Sequence, residues 1–330
     1  METTPLADRF GRVATDLRVS LTDRCNLRCE YCMPAEGLEW LPTDEVLTDD
    51  EVVRLVTIGV ERLGVREVRF TGGEPLVRRG LVGIVARTHD LGVETSLTTN
   101  GLGLARTAAA LADAGLDRVN VSIDSIRPET FAAVTRRDRL HDVVAGLRAA
   151  QEAGLGPVKL NAVLMRGVND DQAPELLRWA VEHGYHLRFI EQMPLDAQHV
   201  WSRTEMVTAD EIQLLLEKEF VLEPAEEPRG SAPAELFTVD GGPATVGIIA
   251  SVSRPFCGDC DRVRLTADGQ VRNCLFAREE SDLRGAMRAG ASDEELAERW
   301  VTAMAGKRAG HGIDDPTFLQ PDRPMSAIGG

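Results

Sequence analysis

The chain has only six cysteines in 330 residues, and none stands alone. They fall into Cys25-x3-Cys29-x2-Cys32 and Cys257-x2-Cys260-x13-Cys274, which leaves no thiol for a separate nucleophile. An apolar leader is missing, and a chain of this length buries enough core to dispense with covalent staples, so disulfides are not expected. No apolar run is long enough to span a bilayer. His89, His141, His183, His186, His199 and His311 all lie far in sequence from both triads, so neither triad has an obvious fourth ligand for zinc. Basic residues are also scarce: 37 Lys and Arg face 53 Asp and Glu, for a net charge of -16. That balance opposes general attraction to nucleic acid or membrane lipid, and an anionic ligand would need a local basic pocket. With 43% hydrophobic residues, the composition fits a cytoplasmic enzyme built on one large domain, or on a large domain with an appendage.

What is present is thiolate chemistry. A triad is one short of the four ligands that close a zinc or iron-sulfur site, so each suggests a [4Fe-4S] cluster with one iron left open. Around the first triad, short β-branched runs alternate with helical patterns, the signature of βα units and a parallel sheet. The candidate strands are Leu17 to Leu21, Glu67 to Phe70, Val93 to Thr98, Arg118 to Ile123, Val158 to Leu164 and Leu187 to Ile190. Helices are expected from a capping box at Thr48-Asp49-Asp50-Glu51 and over 78 to 90, 104 to 114, 140 to 153 and 172 to 183. Six units fall short of the eight that close a full barrel, so the fold class is α/β, an incomplete (βα)6 TIM-type barrel.

The C-terminal strand ends of such a barrel converge on one site, and here they are polar: the cysteine loop, Thr71-Gly72-Gly73-Glu74-Pro75, Thr98-Thr99-Asn100, Ser122-Ile123-Asp124 and Glu191-Gln192-Met193. In the second of these, two glycines free the backbone for close approach. Glu74 either accepts from a ligand ammonium or belongs to a tight turn ended by Pro75. Gly101-x-Gly103 lacks the third glycine of a dinucleotide fingerprint, and Gly306-Lys307 lacks the upstream spacing of a P-loop.

The βα rhythm weakens over residues 192 to 236, where Glu223 to Ser231 reads as an exposed loop. We divide the chain into residues 1–235, the partial barrel, and 236–330, a smaller region with the second triad and a Gly-Gly tail. In the latter, Cys260 to Thr266 alternates like a strand, Asp268-Gly269 marks a hairpin turn, and Val271 to Cys274 returns towards Cys257 and Cys260. The alternation places Arg262 and Arg264 on one strand face beside the triad. A solvated face is the ordinary reading of such a strand, but beside an open cluster these guanidinium forks are expected to serve phosphate oxygens.

The run Arg24-Cys25-Asn26-Leu27-Arg28-Cys29-Glu30-Tyr31-Cys32-Met33-Pro34, with an aromatic residue before the third cysteine, resembles the cluster loop of the radical S-adenosylmethionine (SAM) superfamily. With the second triad, Arg18-Val19-Ser20-Leu21-Thr22-Asp23 and the terminal Gly329-Gly330, the chain resembles the two-cluster family of that superfamily that cyclises GTP in molybdenum cofactor biosynthesis. The resemblance implies two [4Fe-4S] clusters, SAM and GTP as small-molecule partners, an electron donor of unknown identity and a homodimer. It implies that Cys25, Cys29 and Cys32 hold the SAM cluster and that Cys257, Cys260 and Cys274 hold the substrate cluster. Tyr31, Gly73, Ser122 and Met193 would contact SAM. Arg18, Arg69, Thr98, Lys159, Arg262 and Arg264 would contact GTP, with Thr99 the alternative to Thr98. Arg262, Arg264, Gly329 and Gly330 would serve catalysis. Two other readings stay open: a radical SAM peptide-modifying enzyme, which would carry more cysteines near the second triad, and a non-catalytic metal-binding scaffold.

Overall fold

Alternation along each strand decides which side chains meet helices and which face the barrel interior. In β1 (Asp16–Ser20), Leu17 and Val19 are fully buried among the helices' apolar residues, whereas Arg18 lines an internal cavity. The computed structural model describes residues 3–329. The remaining strands are β2 (Glu67–Thr71), β3 (Glu94–Thr99), β4 (Arg118–Ser122), β5 (Lys159–Val163), β6 (His186–Ile190), β7 (Leu222–Pro224), β8 (Glu235–Val239), β9 (Thr245–Ile249), β10 (Arg262–Leu265), β11 (Gln270–Arg272) and β12 (Ser281–Asp282). They form one sheet in the order β12-β11-β10-β1-β2-β3-β4-β5-β6-β9-β8-β7.

The six expected strands are parallel neighbours from β1 to β6. Two further parallel strands flank them: β10 pairs with β1 and β9 with β6. Each of these turns back through antiparallel pairing, β10 with β11 and β9 with β8. The expected turn at Asp268-Gly269 is present, with Gly269 at φ +75° and Leu265 opposite Val271.

Helix starts follow local chemistry. Thr48 Oγ1 accepts from Glu51 N at 3.2 Å and Glu51 Oε2 accepts from Thr48 N at 2.8 Å, so the capping box opens the helix Asp49–Glu61. Ser292 and Glu295 do the same for Asp293–Ala305, whose Trp300 is buried close to Gly59. The expected helices run over Leu81–His89, Leu104–Asp113, Leu140–Glu152 and Ala173–Glu182. The first starts three residues late because Arg78 instead caps a short 3-10 turn and pairs with Asp49. Pro128–Thr135 is an additional helix after β4.

Candidate active site

Register fixes what the barrel interior contains. Arg264, Arg18 and Arg69 are neighbours across β10, β1 and β2, and Ser96 and Arg118 continue the row on β3 and β4. One step higher, Asn120 lies beside Thr98 and Lys159, and Asn161 lies beside Ser122 and Arg188. A closed barrel fills this space with branched apolar side chains; here it is lined by polar and cationic ones. One cavity touches Arg18, Arg69, Arg188, Arg262 and Arg264. Against these stand Asp16, 3.6 Å from Arg18 and 3.4 Å from Arg262, and Glu67, 2.6 Å from Arg69.

The cations outnumber their partners. Arg18 Nε, Arg69 Nε, Arg262 Nη1 and Asn120 Nδ2 are buried without a hydrogen-bond acceptor. Burial, followed by crowding among neighbouring arginines, pulls Arg18 well below its usual range, Arg188 to about 9 and Arg264 to about 10. Unsatisfied donors of this kind are unfavourable unless an anion takes them up. The basic pocket that a chain of net charge -16 would need is therefore present.

The first triad rims the same cavity through Cys25, Cys29 and Cys32, all free thiols. Its loop is held by backbone contacts that only glycine permits. Gly72 has φ +145°, and a Cβ on Gly73 would meet Asp23 O and Arg24 O at 2.4 Å. Gly73 N donates to Thr22 O at 2.7 Å and Glu74 N to Arg24 O at 2.8 Å, so the turn after β2 lies flush on the chain entering the cysteine loop. Glu74 faces away from the cavity. It accepts from Thr99 Oγ1, Asn100 N and Leu76 N at 2.7, 2.7 and 2.9 Å, and burial lifts its carboxyl to about 7. These contacts join the ends of β2 and β3, as the tight-turn reading requires.

Asp124 makes a second such joint, accepting from Tyr31 Oη at 3.0 Å and Val163 N at 2.9 Å, with its carboxyl raised by burial to about 6. Burial and then Asp124 push the Tyr31 phenol upward. Glu191 makes a third, accepting from Ala209 N, Val252 N and Ser253 N at 2.7, 2.8 and 2.9 Å, which fixes the chain leading to the second triad.

Cys257, Cys260 and Cys274 line an adjoining cavity whose walls share Met193, Ser251, Phe256, Arg262, Arg264 and Leu275 with the first. Phe256 stacks under Arg262 at 4.7 Å, and Arg262 Nη2 donates to Ser231 O at 2.9 Å. The loop read as exposed at 223–231 thus contributes an inner contact, and nearby Pro233 lines the cavity. Burial raises the Cys257 thiol; at Cys260 burial is outweighed by Lys307 together with the Arg262 N–H and charge, and the thiol falls below its usual range. Among the described residues no three His, Cys, Asp or Glu side chains are grouped tightly enough to hold one metal ion. A cubane cluster offers a separate iron to each thiolate, so three free, partly buried thiols around an open cavity fit it better than a mononuclear site.

Of the expected contacts, Tyr31, Gly73, Ser122, Met193, Arg18, Arg69, Thr98, Arg262 and Arg264 line the main cavity. Thr99 lines it too, but its hydroxyl is committed to Glu74 and Gly101, which favours Thr98. Lys159 is not on the wall; it is two residues before Asn161 on the same face of β5, and burial with Arg188, Arg118 and Arg69 nearby lowers it to about 8. Gly329 is wedged where a Cβ would meet Ser20 Oγ at 2.4 Å, and its carbonyl accepts from Arg264; Gly330 lies outside the described residues. Sequence reasoning missed Arg188, which donates to Asn161 at 3.0 Å and Asn120 at 2.7 Å, and also Asn161 and Ser326. The inward positions of β5 and β6 follow from strand alternation, and that signal was sufficient to find the first two.

Residues 19–180 match the Radical SAM superfamily family model and residues 185–313 match Molybdenum Cofactor Synthesis C. Among solved structures, Streptococcus suis SuiB superposes with TM-score 0.61 at 13% identity, over 89% of this chain and 68% of that one, and SuiB bound to S-adenosylmethionine with TM-score 0.57 over 87% and 68%. The fold and the first cysteine loop define a radical SAM enzyme, whose cofactors are SAM and [4Fe-4S] iron-sulfur clusters. The chain is 68% identical to the GTP 3',8-cyclase of Streptomyces coelicolor over 98% of its own length and 96% of that protein. The corresponding figures are 61%, 99% and 92% for Mycolicibacterium smegmatis, and 59%, 98% and 89% for Corynebacterium glutamicum. It belongs to the GTP 3',8-cyclase family.

Proposed function

We propose that the protein cyclises GTP to (8S)-3',8-cyclo-7,8-dihydroguanosine 5'-triphosphate, joining ribose C3' to guanine C8 as the first step of molybdenum cofactor biosynthesis. The observation that carries this reading is the cationic cavity rimmed by one free-thiol triad and sharing its wall with an adjoining cavity lined by the second. When bound, SAM and a reduced cluster supply a 5'-deoxyadenosyl radical that removes hydrogen from the ribose.

The chain's own work is placement. Cys25, Cys29 and Cys32 would hold the SAM cluster at the ends of β1 and its loop, with Tyr31, Gly73, Ser122 and Met193 around SAM. Cys257, Cys260 and Cys274 would hold the second cluster, beside which the guanine would be positioned. Arg18, Arg69, Arg262 and Arg264 line the cavity, and the orphaned N–H groups of Arg18, Arg69 and Arg262 support a role in meeting phosphate oxygens. Thr98 lies among them, and Lys159 adds charge from one layer below. Fixing the triphosphate at several points fixes C3' relative to the radical source, which is the main contribution a protein makes when cofactors carry the chemistry. Gly329, and Gly330 after it, would complete the site from the C-terminus.

On this reading residues 1–235 form the SAM half and 236–330 the substrate half, sharing one sheet. A cytoplasmic homodimer served by a separate electron donor goes with the family reading. Anaerobically reconstituted protein supplied with SAM, GTP and a reductant should give the cyclised triphosphate by mass; intact GTP beside cleaved SAM would overturn the substrate assignment.

A further inference from the structure

The second triad is wrapped by the segment that follows the helix Asp293–Ala305. Lys307 is only 2% exposed, and its ammonium donates to Arg262 O at 2.9 Å, Cys260 O at 3.2 Å and Cys260 Sγ at 3.4 Å. Among the described residues it forms no ion pair with a carboxylate. Four residues on, the His311 backbone N–H lies close enough to the Cys257 thiol to lower it against its burial. The strap between them is anchored from the far end of the chain: Arg12 donates to Arg308 O at 2.6 Å, Ala309 O at 2.9 Å and Cys257 O, and its own charge is met by Asp8.

The first triad has the opposite surroundings. Asp124 and Glu74 are its carboxylate neighbours, the donors at Cys25 are the neutral Leu27 N–H and the Asn100 amide at 3.7 Å, and the one nearby cation, Arg28, hydrogen-bonds the Cys25 carbonyl rather than its sulfur. An ammonium buried without a carboxylate is strongly unfavourable unless another negative group lies against it. Two carbonyls supply dipoles, and the remaining contact is the sulfur of Cys260.

We propose that Lys307 is a positioning residue for the second cluster: its buried ammonium takes the Cys260 thiolate as counter-ion, holds that ligand in place and raises the reduction potential of the cluster. A cation and an N–H···S bond both favour the more negative, reduced state, and charge and hydrogen bonding to cluster sulfurs are established determinants of potential. The inference rests on the second triad holding a cluster. It adds that the two clusters are tuned in opposite directions by the residues beside them.

The test uses reconstituted full-length protein, comparing native, Lys307→Gln and Lys307→Arg by iron content and by redox titration followed by electron paramagnetic resonance. Addition of SAM identifies the first cluster's signal, and the signal that ignores SAM belongs to the second. Lys307→Gln should shift the SAM-insensitive signal to lower potential by at least tenfold in the oxidised-to-reduced ratio, about 59 mV for one electron. Lys307→Arg should stay near native, and the SAM-sensitive signal should move in neither. Loss of the second cluster from Lys307→Gln alone, with Lys307→Arg intact, would also support the counter-ion role. A native potential in Lys307→Gln with full iron, equal loss of the cluster in both variants, or equal shifts of both clusters would overturn it. A single cluster signal with half the expected iron in native protein would instead sink the two-cluster reading.

Discussion

The guanidinium of Arg264 donates to the carbonyl of Gly329, so an arginine on the cavity wall beside the second triad also holds the C-terminal segment. The segment has a second tether, Arg323, whose two Nη atoms reach Asp268 at 2.8 and 2.7 Å at the turn between β10 and β11. Ser326 lies against the Cys32 thiol. The tail therefore touches elements of both cysteine sites.

Gly329→Ala should undock this tail. The residue has φ +74°, where an L side chain costs about 1–2 kcal/mol, and its Cβ would also meet Ser20 and Thr71. Product formation should fall roughly tenfold or more, while iron content and SAM binding stay native. Native turnover would show that the docked tail is dispensable.

Arg262→Ala and Arg264→Ala should each weaken GTP binding by about ten- to a hundredfold, the roughly 1.5–3 kcal/mol of a hydrogen bond to a charged group. Deuterium transfer from 3'-deuterated GTP into 5'-deoxyadenosine should fall at least as far, since a loosely held ribose also misplaces C3'. Native values for both quantities would return these arginines to an electrostatic background.

Cys257, Cys260 and Cys274 replaced together by alanine should lower bound iron from on the order of eight per chain to about four. This variant should still cleave some SAM without making product, whereas Cys25→Ala should cleave none. Equal cleavage by both would show that the triads are wrongly assigned, and the opposite pattern would show their roles to be reversed.

Lys159 gives a pH signature. Its folded value of about 8 lies below the ordinary 10.5, chiefly through burial and then Arg188, so between those values the folded state binds fewer protons than the unfolded one. Stability should rise with pH across that window, and the penalty should be fully present below about pH 8. Melting temperatures of native protein relative to Lys159→Met should therefore climb between pH 8 and 10.5. GTP affinity of the native protein should decline as pH passes 8, with no such step in Lys159→Met. A pH-independent difference between the two proteins would mean that Lys159 is an ordinary solvated lysine.

Much of this site was legible because its signals are local. Thiol spacing, the Thr48 capping box, the turn at Asp268-Gly269 and the alternation of β10 each depend on a few adjacent residues, and each is found where the sequence puts it. What was not legible depends on distant pairing. Nothing near Thr245–Ile249 says that it lies parallel to β6, or near Arg262 that it lies parallel to β1. Arg188 and Asn161 sit in strands that were correctly anticipated, but their partnership forms only when β5 and β6 come into register. Lys307 has no local mark beyond the preceding Gly306, and its burial against Cys260 depends on where the helix Asp293–Ala305 delivers it.

The position of β1 also bears on how the molecule comes together. Residue 16 lies beside residue 67 on one side and residue 262 on the other. Contacts that close long loops form slowly, and a chain leaving the ribosome offers its N-terminal portion first. The first thiol triad thus meets its β1–β4 neighbours early, while Ser326 reaches Cys32 only at the end and one edge of β1 waits for the strand at residue 262. The second triad arrives with the strand that covers this edge, so the order in which the two halves of the cavity mature is set by topology.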